Sequence, residues 1–149
     1  MEQPYLFAPK ANPEPPVPDE RTFQRDMKLL LRHRQWGFNI PAVDIDFLEY
    51  DNRKSVALIE YKRASDLAEC NPNLTDANLQ ALVDLGDRAS IPVFCTFYKS
   101  LKWYRVFPVN EIAKQKGPPE GILSEYKYVD FLYWLKGRQM PEHIREKLW

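Results

Sequence analysis

Residues 43–62, VDIDFLEYDNRKSVALIEYK, leave the chain few ways to satisfy their apolar pattern. Two β-branched and aromatic runs flank the polar quartet Asp51-Asn52-Arg53-Lys54, which predicts two strands joined by a turn. Side chains alternate faces along a strand, so Val43, Ile45 and Phe47 share one face and Asp44, Asp46, Leu48 and Tyr50 the other. On the return run Ala57, Ile59 and Tyr61 share a face, and Val56, Leu58, Glu60 and Lys62 the opposite one. Directly opposed residues lie on the same face, and a turn centred on Arg53 pairs Tyr50 with Val56 and Leu48 with Leu58. That register sets Asp46 opposite Glu60 and Asp44 opposite Lys62. Sliding it one step would oppose Asp46 to Leu58, a poorer match. The charges therefore gather at the end of the hairpin remote from its turn.

Carboxylates a few ångströms apart repel and raise each other's pKa, and a bound divalent cation reverses that penalty. Oxygen-only ligands suit a hard cation such as Mg²⁺ or Mn²⁺ better than zinc. Lys62, two residues past Glu60, points to the same patch, where an ammonium can orient a water or offset charge growing on a phosphate. The simpler alternative is a cross-strand salt-bridge cluster.

Asp46, followed fourteen positions on by Glu60-Tyr61-Lys62, resembles the Asp…(Asp/Glu)-x-Lys signature of the PD-(D/E)XK nuclease superfamily. The likeness is nearest to members with an Ile-Asp strand and an acidic-Tyr-Lys strand, such as the nuclease domains of bacterial recombination helicase–nucleases and small phage-type nucleases. It extends over about residues 19–137. The chain departs from the pattern in that Ala42 and Val43 separate Pro41 from the first acid, so either Asp44 or Asp46 is open as the principal ligand. The resemblance implies a restriction-endonuclease-like core and a metal site of Asp46, Glu60 and the Tyr61 backbone carbonyl, with Asp44 as a supporting group. It also implies that Gln80 is the helical glutamine placed beside such sites, and that Glu20 matches a loosely placed acid on the first helix.

With 149 residues, 44% hydrophobic and 28% charged, the chain is long enough for one domain with a real core. Net charge is zero, which leaves nucleic-acid binding undecided, because acids gathered at a metal site mask a basic rim. No apolar run approaches a membrane span and no signal-peptide pattern opens the chain, so a cytoplasmic protein without membrane partners is expected. Cys70 and Cys95 are not at metal-like spacing and are expected as reduced thiols; His33 and His143 complete no zinc site. No glycine-rich phosphate loop, Gly-x-Ser-x-Gly elbow or His-Glu-x-x-His helix occurs, which removes nucleotide-cofactor, serine-hydrolase and zincin classes.

Pro4, Pro9, Pro13, Pro15, Pro16 and Pro18 make residues 1–18 an extended arm in front of a single domain over 19–149. Asp19 is a fitting N-cap for a helix to about Gln35, closed by Gly37, with Phe23, Met27, Leu30 and Leu31 as its buried stripe. Arg21, Arg25, Lys28 and Arg32 fill much of the rest, as a solvated face or as phosphate contacts. Thr75 is expected to cap a second helix over 76–88, packing through Leu79, Leu82, Val83 and Gly86. Strands follow at 91–98 and 103–109, then a loop over 115–121. Ser124 caps a helix to Lys136 whose stripe is Val129, Leu132 and Leu135, broadened by Phe131, Tyr133 and Trp134. One short turn is expected after Pro141. Tyr98, Trp103 and Tyr104 interleave with Lys99, Lys102 and Arg105, a pattern that packs a strand on a helix or presents stacking and phosphate contacts to unpaired bases.

The order predicts an α/β fold, a central mixed sheet flanked by helices on both faces, and the resemblance implies one remaining strand, supplied by 38–41 or a neighbouring stretch. The expected activity is Mg²⁺-dependent hydrolysis of DNA phosphodiester bonds, with Mn²⁺ substituting, in recombination or repair. Asp46 and Glu60 would hold the cation, Lys62 the water or the phosphate charge, and Lys102 and Arg105 the strand. The rivals are a homodimeric Holliday-junction-type resolvase and a non-catalytic nucleic-acid-binding module.

Overall fold

The structure is a computed structural model and describes residues 27–148 other than 38 and 40. Cα packing divides the chain into Met1–Ala42 and Val43–Trp149. The compositional boundary after residue 18, and the expected helix start at Asp19 with Glu20, Arg21, Phe23 and Arg25, lie outside the described residues.

In the first unit, helix α1 spans Met27–Gln35. Arg32 Nη1 donates to Gln35 Oε1 at 3.2 Å, and His33 meets the Trp36 ring at a centroid distance of 5.3 Å. Leu31, expected in a buried stripe, is 51% exposed. Helical periodicity marks an apolar stripe but does not supply the surface that covers it.

The second unit is an α/β sheet of five strands in the order β1-β2-β3-β4-β5, spanning Phe47–Asp51, Lys54–Arg63, Val93–Lys99, Trp103–Pro108 and Leu123–Ser124. All neighbouring pairs are antiparallel except β2 with β3, which the crossover helix α2 (Ala77–Ala89) makes parallel. Parallel neighbours require such a crossover, so the chain's only long apolar helix between two apolar strands determines the mixed character of the sheet. The described part of 38–41 carries no strand, and the fifth strand is instead the two-residue β5.

Alternate residues of β2 and β3 bury against opposite faces. Leu58 and Val93 pack with Leu82 and Ile91 on the α2 side. Ala57, Ile59 and Phe94 pack with Tyr128 and Phe131 of helix α4 (Glu125–Leu135), and with Ala113 of helix α3 (Glu111–Lys116). Both faces are thus covered by helix. The stripe of α4 is set by Tyr128 and Phe131, while Trp134, expected to broaden it, is 53% exposed.

The caps are specific. Ser124 accepts from the Lys127 amide as expected, but α2 is capped by Asp76, which accepts from the Leu79 amide, and not by Thr75. The Thr75 hydroxyl instead bonds Asn73 Oδ1 at 2.7 Å, and a carboxylate is the better partner for the positive end of a helix. Helix α3, of which only Gln115 and Lys116 fell in an expected element, the loop over 115–121, is nucleated by Asn110: its Oδ1 accepts from Val93 N and Ala113 N, and its Nδ2 donates to Asp87 Oδ1 and the Ile91 carbonyl. The turn after Pro141 is helix α5 (Glu142–Arg145). Among the described residues no helix is long and apolar enough to cross a membrane.

Candidate active site

The hairpin reaches the expected register by an unexpected route. Asn52 and Arg53 both have positive φ (48° and 64°), the signature of a tight two-residue turn, so Asp51 pairs with Lys54 and Tyr50 with Ser55. Tyr50 is therefore not opposite Val56. An irregularity at Glu49/Tyr50 leaves Val56 as an extra residue, after which Glu49 faces Ala57, Leu48 faces Leu58 and Phe47 faces Ile59. The tight turn fixes one parity and face matching demands the other; a one-residue bulge reconciles them.

Strand β1 begins only at Phe47, so Asp44 and Asp46 precede it and do not lie on the sheet. Asp46 nevertheless completes the ladder. The Leu58 and Ala64 amides donate to the Pro92 and Tyr98 carbonyls across the parallel pair, so alternation turns the N–H and C=O of Tyr61 toward the β1 side. There the strand has already ended, and Asp46 Oδ2 accepts from Tyr61 N at 2.9 Å. The carboxylate stands where the next main-chain acceptor of β1 would have been.

Glu60 lies on the α2 face, paired across the sheet with the fully buried Cys95. Its side chain is 18% exposed, and Lys62 Nζ reaches Glu60 Oε1 at 3.4 Å. Burial pushes the Glu60 carboxyl above its ordinary value, the charge and hydrogen-bonding oxygen of Asp46 push it further, and Lys62 opposes the rise. The structure therefore brings Asp46, Glu60, Lys62 and the Tyr61 main chain together. Among the described residues no three His, Cys, Asp or Glu side chains gather at one point, so Asp44 adds no third acid to the pair.

Other expected participants are placed differently. Gln80 is exposed on α2, its Nε2 donating to the Leu74 carbonyl at 3.3 Å, while the bonding partner of Lys62 is Glu60. Arg105 Nη1 donates at 2.8 Å to the carbonyls of both Leu67 and Ala68, and the guanidinium lies 4.9 Å from the Phe107 ring centroid. The loop after β2 needs acceptors satisfied, and Arg105 is the donor that holds it. Lys28 and Lys102 are exposed.

A cleft lies on the α4 face of the same sheet, opposite the acid pair. Phe47, Tyr61, Tyr98, Leu101, Tyr104, Glu125, Tyr128 and Val129 line its volume of about 520 Å³. Tyr104 stacks on Tyr128 with centroids 4.5 Å apart, and Tyr61 meets Phe47 edge-on at 5.0 Å. The Tyr61 and Tyr128 hydroxyls are hydrogen-bonded to each other, and burial pushes the Tyr61 phenol up to about 12. The interleaved aromatics of β3 and β4 were one visible signal of this cleft. Phe47, Tyr61 and Tyr128 carry none, because they meet only when β1, β2 and α4 are assembled. No protein-family model, curated protein or solved structure matches the chain.

Proposed function

We propose that the protein is a Mg²⁺-dependent nuclease that hydrolyses DNA phosphodiester bonds, built on a restriction-endonuclease-like core of the PD-(D/E)XK kind. The observation that carries this reading is the pair of carboxylates, Asp46 and Glu60, held at the open end of β2 with Lys62 beside them. Their donor set suits a hard cation: two neighbouring carboxylates, with Glu60 raised by burial first and by the charge of Asp46 second, and a Tyr61 carbonyl directed to the β1 side of the same strand. The β2–α2–β3 crossover, with the acid and lysine on the strand before the helix, supports the same reading.

A bound cation at such a site supplies Lewis acidity at a phosphate oxygen and lowers the pKa of water. The chain's own groups do the rest. Asp46 is oriented by the Tyr61 amide, which fixes one oxygen and leaves the other to the site. Glu60 is mostly withdrawn from solvent, so its charge is strongly felt at short range. Lys62 holds its ammonium near Glu60, where it steadies an attacking water or offsets charge building on the phosphate. Water is the only co-reactant: its oxygen forms the new P–O bond, the P–O bond to the leaving oxygen breaks, and the proton that water gives up is balanced by the one the leaving oxygen takes.

The test is a cleavage assay on linear, circular and branched DNA with Mg²⁺ or EDTA. Wild type is expected to cut only with the metal. Lys62→Ala is expected to lose turnover by about two orders of magnitude or more with DNA affinity nearly unchanged, since one cation contact carries little of the binding. Binding without cleavage on all three substrates would instead make the chain a nucleic-acid-binding module, and cleavage confined to branched DNA by a dimer would make it a resolvase.

A further inference from the structure

We propose that the aromatic cleft on the α4 face seats an unpaired nucleobase of the strand whose phosphate reaches Asp46, Glu60 and Lys62. This rests on the nuclease reading and adds to it the form of the substrate: a single strand, or a duplex end that has opened.

Three observations carry it. The first is composition: five of the eight lining side chains are aromatic, and a volume of about 520 Å³ is in the range of pockets that enclose a small planar ligand. The second is polarity. Glu125, only partly exposed, lines the cleft beside Tyr104, whose phenol its charge helps to raise. A carboxylate among rings accepts hydrogen bonds from the exocyclic amino group of cytosine or adenine, whereas thymine brings two carbonyl oxygens to the same edge. The third is place. Tyr61 lies between Glu60 and Lys62 in β2, so its ring enters the cleft on one face while its neighbours serve the acid pair on the other. Strand β1 begins only at Phe47, and Asp46, just before it, brings its carboxylate to the Tyr61 amide, so the cleft wall and the acid pair adjoin at this end of β2.

The lip of the cleft has an unusual backbone. Leu101, 64% exposed, adopts φ 55° in the β3–β4 turn, a left-handed conformation that bulky side chains rarely take. The Glu125 amide donates to the Lys102 carbonyl at 2.9 Å, tying that turn to the start of α4. Glycine would make the turn with less strain, so Leu101→Gly removes the lip without weakening the fold. Phe47, 55% exposed, is the corresponding wall on the other side.

The experiment measures anisotropy of fluorescein-labelled single-stranded oligo-dC, oligo-dT and an abasic oligomer of equal length with the full chain in EDTA, where no cleavage intervenes. Wild type is expected to bind oligo-dC severalfold more tightly than oligo-dT and to bind the abasic strand weakest. Phe47→Ala should weaken oligo-dC binding by roughly tenfold, the loss expected for one stacking contact, and Leu101→Gly, which removes apolar contact only, by roughly threefold. Glu125→Gln should erase the preference for dC over dT. The proposal is overturned if both apolar variants bind like wild type, if the abasic strand binds as well as oligo-dC, or if free dCMP binds as tightly as the oligomer. Variant-sensitive binding of oligo-dC by a wild type that never cleaves with Mg²⁺ would uphold the base site and refute the nuclease reading alone.

Discussion

Glu60 concentrates the electrostatics of the candidate site. Its carboxyl is raised by burial first and by Asp46 second, with Lys62 only partly offsetting them. A carboxyl raised in the fold binds its proton more tightly there than in the unfolded chain, so ionising it destabilises the native state as pH rises through the folded pKa. Glu60→Gln should therefore raise Tm at about pH 7.5. The advantage should shrink to nothing once the pH falls below the ordinary carboxylate range, and thermal melts across pH check it. The cysteines provide a second residue-scale prediction. Cys95 is fully buried and its thiol is pushed up to about 12, mainly by burial, whereas Cys70 is partly exposed and raised less far. Thiol titration of the native chain should register Cys70 alone, and both only after denaturation.

Element by element, the strands and long helices were legible because each carries its own period. The return strand of the hairpin, α2, β3, β4 and α4 lie near their expected bounds, while the first strand starts at Phe47 and not at Val43, and Leu79, Leu82, Val83 and Gly86 form the packing side of α2 as read. What was not legible depended on non-local partners. The bulge at Val56 reflects a conflict between turn and face that neither strand reveals alone. Helix α3 depends on Asn110, whose buried amide ties it to Val93, Asp87 and Ile91, all distant in sequence. Strand β5 is two residues long and exists only as a partner of β4. Gly86 gives the sharpest test at this scale: an added Cβ would fall 2.2 Å from Val93 Cγ2 and 3.1 Å from the Ile91 carbonyl. Val93 is fully buried in β3 and has no room to retreat. Gly86→Ala should destabilise the protein by about 1–3 kcal/mol despite alanine's better helix propensity, read from chemical denaturation.

For the whole molecule, the sheet separates two environments at one open edge: acids and a lysine on the α2 face, tyrosines and phenylalanine on the α4 face. Asp46 was legible as the partner of Glu60, although it arrives from a bend rather than a strand, whereas the contacts of Gln80 to the Leu74 carbonyl and of Arg105 to the 67–68 loop were not. Side-chain periodicity can place a residue on a face, but it cannot say which carbonyl will claim a free donor. The proposed nuclease requires Asp46 and Glu60 together to hold a divalent cation, with Asp44 dispensable for holding it. Isothermal titration of the metal-free chain with Mn²⁺ tests this most directly. Wild type and Asp44→Asn should bind, and Asp46→Asn and Glu60→Ala should not. Equal binding by all four, or none by wild type, would contradict it.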